Sequence, residues 1–323
     1  MVLPVRRPMY SIDAELPIRR IPFHDESGLG FCLRVSVDNG ANLHSLRRII
    51  GLSDSVFITQ VDAGKLSQLS QTPLDWLRST LPPKPSSKIR TCYGHRWYSP
   101  PYHLRSSPQL CPLCVNRSGY VRDIWDIALS TICVEHNCPL IDRCTDCGAE
   151  IRWNRPALEV GHCGHVLKSG NRDLHVTPAL HHFQVELTDR LRHKKPQGYL
   201  INNFDQSRVI SMDGWCSLIT SIGICERASR SGKRLLSNKS TRQWFEIVNR
   251  ALIRIEQLNH SNWSRLPEDV VPFSEAILMR MLIKNDSAAD QRLAAYLLNE
   301  MCELPIVGRV GGRFEHLSQL ELF

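Results

Sequence analysis

Cys111-Pro-Leu-Cys114, Cys133-Val-Glu-His136, Cys144-Thr-Asp-Cys147 and Cys163-Gly-His165 follow one another in a single stretch of the chain. The first two segments read C-x2-C-x18-C-x2-H, and the last two read C-x2-C-x15-C-x-H. Each half offers four soft or borderline donors, the number that a closed tetrahedral Zn2+ site needs. Both loop lengths are near the spacing of a zinc ribbon, in which one ion staples two turns. The expectation is therefore two structural zinc ions, one on Cys111, Cys114, Cys133 and His136, the other on Cys144, Cys147, Cys163 and His165. His162 competes with His165 for the last position. His165 is preferred, because a side chain two residues beyond Cys163 can turn back towards the same ion, whereas an immediate neighbour points away. Cys138 lies between the two sets and breaks no spacing when left out.

Three other readings of these thiols compete with metal. Buried free cysteines account for single positions but not for paired spacing. A redox Cys-x-x-Cys is not expected to recur with distant Cys and His partners. Disulfides need an oxidising compartment, and Met1 to Tyr10 is rich in Pro and Arg without the apolar run of a secretory signal. A cytoplasmic chain with metal-bound thiolates is the expectation.

The 323 residues suggest two or three modules. A hydrophobic content of 42% and a charged content of 22% are ordinary for a globular protein, and no apolar run reaches the length of a membrane span. The formal net charge of +8 permits a polyanionic partner without requiring one.

Around the cysteine stretch, four regions are expected: an extended basic arm (1–26), a helical helix-turn-helix-like module (27–88), a double zinc-ribbon module (89–167) and a C-terminal helical domain (168–323). The fold class is mainly α. Pro4, Pro8, Pro17 and Pro22 keep the arm from forming a helix. Asp25, Glu26 and Ser27 can cap the first turn of a helix carrying Leu29, Cys32, Leu33 and Val37 on one face, ended by Asn39-Gly40. Asn42 can cap the next, with Leu43, Leu46, Ile49 and Ile50 facing inward. Ala63 to Leu81 reads as a helix pair, the first helix carrying Leu66 and Leu69 and the second, with Thr72 as N-cap and Pro73 at its first position, carrying Leu74, Leu77 and Leu81. The aromatic residues of Tyr93-Gly-His-Arg-Trp-Tyr98 can stack on bases or seat the adjacent zinc module. Gly119 to Leu129 reads as one helix, with Arg122 and Asp123 in solvent. Ile151-Arg-Trp153 reads as a strand, and Lys168 to Lys195 as polar with scattered His. Four helices follow, over 215–228, 241–258, 274–283 and 288–301. Candidate nucleic-acid or partner contacts are Arg47 and Arg48, then Arg190, Arg192, Lys194 and Lys195, then Arg227, Arg230, Lys233 and Arg234. Each group can equally be a solvated face.

No phosphate-binding glycine loop, nucleophile elbow or carboxylate set is recognisable, so no catalytic residue is assigned. The order of the segments resembles the TniQ family of transposon target-selection proteins, which includes the TnsD proteins. The residues that carry the resemblance are Leu16-Pro-Ile-Arg-Arg-Ile-Pro-Phe-His-Asp-Glu-Ser27, Val37-Asp-Asn-Gly40, Cys111-Pro-Leu-Cys114, Gly119-Tyr-Val-Arg-Asp-Ile-Trp125, Cys133-Val-Glu-His136, Pro139-Leu-Ile-Asp-Arg-Cys144 and Cys147-Gly148. It covers roughly residues 14–167. The resemblance implies a non-enzymatic adaptor that joins target recognition to an AAA+ regulator and, through it, to a transposase. Its other partner would be an RNA-guided effector complex, as in CRISPR-associated transposons, or target DNA. A homodimer is possible and no membrane is involved. The alternative is a stand-alone sequence-specific DNA-binding protein that selects the attachment site. The chain departs from the family where a Cys-x-Cys pair is frequent, since it has Cys163-Gly-His165.

Overall fold

The computed structural model of the chain describes residues 15–52, 57–84, 89–98, 103–170, 174–193, 210–224, 239–260 and 273–303. These fall into two compact units, the first ending at Leu191 and the second beginning at Arg192. The expected arm, helical module and double ribbon all share the first unit. The division lies downstream of the change in composition at Lys168, because one further helix joins the first unit.

At the centre of the first unit is α1 (Gly28–Asp38), buried from Gly28 to Ser36. Ser27 caps it, its Oγ accepting from the Gly30 N–H, and Asn39 followed by Gly40 (φ 67°) ends it, as the sequence predicts. Gly28 is required by contact: a Cβ there would come within 2.7 Å of the Thr80 backbone. That allows α1 to lie directly on α4 (Leu74–Thr80). α2 (Leu43–Ile49) is capped by Asn42 and buries Leu43 and Leu46, and Ile50 just after it is buried too. Ile49 is exposed, contrary to the periodic reading, because the helix ends there and does not complete another inward turn. α3 (Ala63–Ser70) and α4 form the expected helix pair. The turn between them uses left-handed Gln71 (φ 56°), and the cap is Pro73 rather than Thr72.

A hairpin of β1 (Ile89–Cys92) and β2 (His95–Tyr98) follows, turning through Tyr93 (φ 54°) and Gly94 (φ 75°). Two positive φ values match the right-handed twist of a two-residue hairpin. Tyr93 holds this unusual backbone because its N–H bonds the Ser79 carbonyl at 2.6 Å and its hydroxyl donates to Asp126. Trp97 is fully buried and its Nε1–H donates to the Cys92 carbonyl. The aromatic segment is thus a core seat, not a stacking surface.

After α5 (Pro112–Ser118) the expected helix over Gly119–Leu129 does not form. Gly119 (φ 71°) closes α5, and the chain then runs extended to a 3-10 turn at Asp123–Asp126. The backbone is drawn away to pair with the arm: Ser27 N–H bonds Val121 O, and Asp123 N–H bonds Asp25 O. Asp123 is therefore buried, and Arg122 pairs with Glu135. A second short hairpin, β3 (Ile132–Cys133) with β4 (Cys138–Pro139), follows. Ile151 and Trp153 are buried, but they lie in irregular chain, with no strand there. The polar stretch conceals α6 (Pro178–Leu191), which buries Leu180, Phe183, Leu187 and Leu191. Gln184 of α6 donates to Ser130 Oγ at 2.9 Å and so ties the helix to the first unit.

The second unit is helical among its described residues: α7 (Met212–Ile224), α8 (Thr241–His260), α9 (Glu275–Lys284) and α10 (Ala288–Glu303). All 13 residues of α7 are buried, the signature of a helix enclosed by others. It packs against α8 and α9. Asp290 stitches the bundle from the first turn of α10. Its carboxylate accepts from Ser211 N–H at 2.8 Å and from the side chains of Ser211 and Asn285. Burial raises its pKa.

The joint between arm and α1 yields two predictions. Glu26 is enclosed and holds Arg34 through both carboxylate oxygens, at 2.8 and 2.7 Å. Glu26→Ala leaves the Arg34 guanidinium without its partner and should cost about 3–5 kcal/mol in denaturant unfolding; a change within error would remove the pair from the account. Burial pushes the Asp126 carboxyl up to about 7, against the hydrogen bonds from Tyr93 and Ser27. Its folded pKa exceeds the unfolded one, so the folded state binds the extra proton and stability falls as pH rises from about 4 to about 7. Asp126→Asn should gain about 1–2 kcal/mol on the parent between pH 5.5 and 8, read from denaturant midpoints at each pH. A pH-independent difference would contradict this.

Candidate metal centres

The first cluster lies between a helix start and a hairpin. Cys111 is the N-cap of α5, Pro112 fixes its first turn, and Cys114 sits within that turn. Cys133 comes from β3, and His136 comes from the turn that left-handed Asn137 (φ 45°) closes. His136 Nδ1 lies 3.6, 3.2 and 3.5 Å from the sulfurs of Cys111, Cys114 and Cys133, and the Cys114 and Cys133 sulfurs are 3.5 Å apart. Zn–S bonds of about 2.3 Å and Zn–N bonds of about 2.0 Å at tetrahedral angles place such donors roughly 3.5–3.8 Å apart. The donor set and its spacing fit a tetrahedral ion. All three thiols are buried. Glu135, in the same turn, pairs with Arg117 of α5 and with Arg122, which lies over the Trp125 ring. The turn that carries His136 is thus fastened on both sides.

The second cluster is made of two knuckles. In one, Cys144 O accepts the Gly148 N–H, with Gly148 at φ 72°. In the other, Gly164 (φ 85°) lies between Cys163 and His165, and Gly161 N–H bonds His165 O. A side chain at either left-handed glycine would strain its turn. Donor atoms of Cys144, Cys147, Cys163 and His165 lie within 4.8 Å of one another, so this set can also hold a metal ion. His162 is outside the group, its Nδ1 3.3 Å from Asn154 O. Cys144 is buried, whereas Cys147, Cys163 and His165 are exposed. Arg155 organises the loop between the knuckles. It is buried, its Nη1 donates to Arg152 O at 2.9 Å, and burial lowers its pKa to about 9.

The basic candidates are scattered. Arg48 is exposed and Arg47 half-buried, both in the last turn of α2, where the helix dipole favours cations. Arg190 is largely enclosed and pairs with Glu186 at 2.9 Å on the same helix. Arg192 is half-buried. Lys194, Lys195, Arg227, Arg230, Lys233 and Arg234 lie outside the described residues. Spacing alone missed two features: the contact of Cys138 with the first cluster, and the linkage of the arm to it through Asp25, whose carboxylate accepts the Tyr120 hydroxyl at 2.8 Å. The only available signals were an unassigned cysteine and an acidic pair placed before a helix.

The difference in enclosure predicts how the centres release metal. Chelator added to metal-loaded protein should remove one equivalent quickly, from the exposed second centre, and one slowly. Cys163→Ser should abolish the fast phase. A single phase for both ions would contradict the assignment.

Among the described residues, no helix is long and apolar enough to cross a membrane. No curated protein matches the chain. Residues 17–140 match the TniQ family. That span runs from the arm through α1–α4, the first hairpin and the whole first cluster to just past β4. Over it, the chain is similar to the TniQ family, whose members are transposition-associated proteins.

Proposed function

We propose that the protein is a non-enzymatic targeting adaptor in transposition. It would join a target-recognition complex, either an RNA-guided effector or the target DNA, to an AAA+ regulator that recruits the transposase. The observation that carries this reading is the match over residues 17–140, which spans the arm, the helical module and the first cluster as one folded piece. Both clusters supply four protein donors each. Zn2+ bound by Cys111, Cys114, Cys133 and His136, and by Cys144, Cys147, Cys163 and His165, is then coordinatively closed and serves as scaffold, with no position left to activate water. Thiolate-rich sites of this kind are kept intact in a reducing compartment, which supports a cytoplasmic setting. Arg47 and Arg48 are the contact candidates on described surface, and a second copy of the chain is a further possible partner.

Co-expression with the genes that flank it, followed by affinity purification and mass spectrometry of proteins and bound RNA, tests the proposal. The adaptor should bring down an AAA+ ATPase or an effector complex. Alone it should bind DNA weakly, with an affinity that collapses between about 50 and 200 mM salt. Tight, sequence-dependent DNA binding by the isolated chain at physiological salt, with no co-purifying ATPase or effector, would favour direct selection of the attachment site instead.

A further inference from the structure

Cys138 belongs to neither ligand set, yet it stands at the first centre. Its Sγ is 3.7 Å from Cys111 Sγ, the separation of about 3.8 Å that two thiolates keep on one tetrahedral ion with Zn–S bonds of about 2.3 Å. The hairpin register supplies a second observation. Cys138 is the direct antiparallel partner of Cys133, and paired residues project to the same face of a sheet. Both thiols therefore stand on the metal side, with His136 in the turn between them. Four donors lie within 4.8 Å of one another, and Cys138 stands beside them as a fifth, next to Cys111. They differ in enclosure: Cys111, Cys114 and Cys133 are buried, while His136 and Cys138 are both half-buried at the solvent side.

We propose that Cys138 is a reserve ligand of the first centre, which takes the place of His136 when the imidazole leaves. This rests on the zinc reading given above. In the exchange a Zn–Nδ1 bond breaks, a Zn–Sγ bond forms, and the thiol proton passes to solvent. No electron is transferred. A shell of three thiolates and one imidazole becomes a shell of four thiolates, and the charge of the ion with its ligands changes from −1 to −2. A centre with an interceptor beside its most exposed ligand holds its ion through excursions of the turn at 134–137, where a four-donor site would lose it.

The test uses the full chain loaded with zinc, and the variants His136→Ala, Cys138→Ser and the double variant. Zinc content is measured by elemental analysis, and thiol protection by iodoacetamide labelling with peptide mass spectrometry. Both single variants should keep two ions and the double variant one. Cys138 should be alkylated in the parent and protected in His136→Ala. Cys138→Ser alone, which retains all four primary ligands, should release the first ion to chelator about tenfold faster than the parent. One ion in His136→Ala, Cys138 equally reactive with and without His136, or an unchanged release rate in Cys138→Ser would each overturn the reserve ligand. Fewer than two ions in the unaltered chain would overturn the zinc reading as well.

Discussion

Three consecutive side chains, Asp25, Glu26 and Ser27, hold the first unit together. Glu26 turns back to Arg34 and also accepts the Phe23 N–H, which presses the arm onto α1. Ser27 caps α1 and donates to Asp126 at 2.7 Å. Asp25 accepts from Tyr120, just past α5, and its carbonyl bonds the Asp123 N–H. Buried carboxylates are costly unless they are paired and hydrogen-bonded, and here desolvation raises the pKa of Glu26 in spite of its arginine. The arrangement stands because segments far apart in sequence each supply a partner. It also explains why arm, helices and first cluster form one unit and not three modules.

The two metal sets play different physical parts. The first is set among Trp125, Val115, Ile132 and Leu140, all buried. It joins a helix N-terminus to a hairpin inside a larger core, so a metal bound there and the apolar packing would support the same geometry. The second has three exposed donors, and the buried apolar residues between its knuckles and just after are Ile151, Trp153, Leu158 and Leu167, with Arg155 over the Trp153 ring and bonded to Leu158 O. So small a cluster of apolar side chains would leave a bound ion to supply much of the folding free energy.

Local chemistry in the sequence was readable and long-range chemistry was not. The ligand pairs, the caps Ser27 and Asn42, the stop at Asn39-Gly40 and the four C-terminal helices follow from spacing and from the conformational preferences of single residues. The choice between His162 and His165 followed from direction along the chain, and the geometry places His165 with the thiols. The segment Gly119–Leu129 misled because its apolar residues are helically spaced while its backbone is committed to the arm nearly 100 positions earlier. α6 was legible in principle: Thr177-Pro178 is a helix start, and Leu180, Phe183, Leu187 and Leu191 recur at 3–4 spacing, but the surrounding His and charged residues masked the pattern. The bond from Tyr93 to Asp126, and the approach of Cys138 to Cys111, depend on how hairpins fold onto helices, which no spacing encodes.

The most direct test of a metal-built scaffold is X-ray absorption at the zinc edge on the purified full-length chain. Two centres, each of three thiolates and one imidazole, predict an average shell of three sulfurs at about 2.3 Å and one nitrogen at about 2.0–2.1 Å per zinc. A shell dominated by oxygen and nitrogen, or four sulfurs per zinc, would contradict the account.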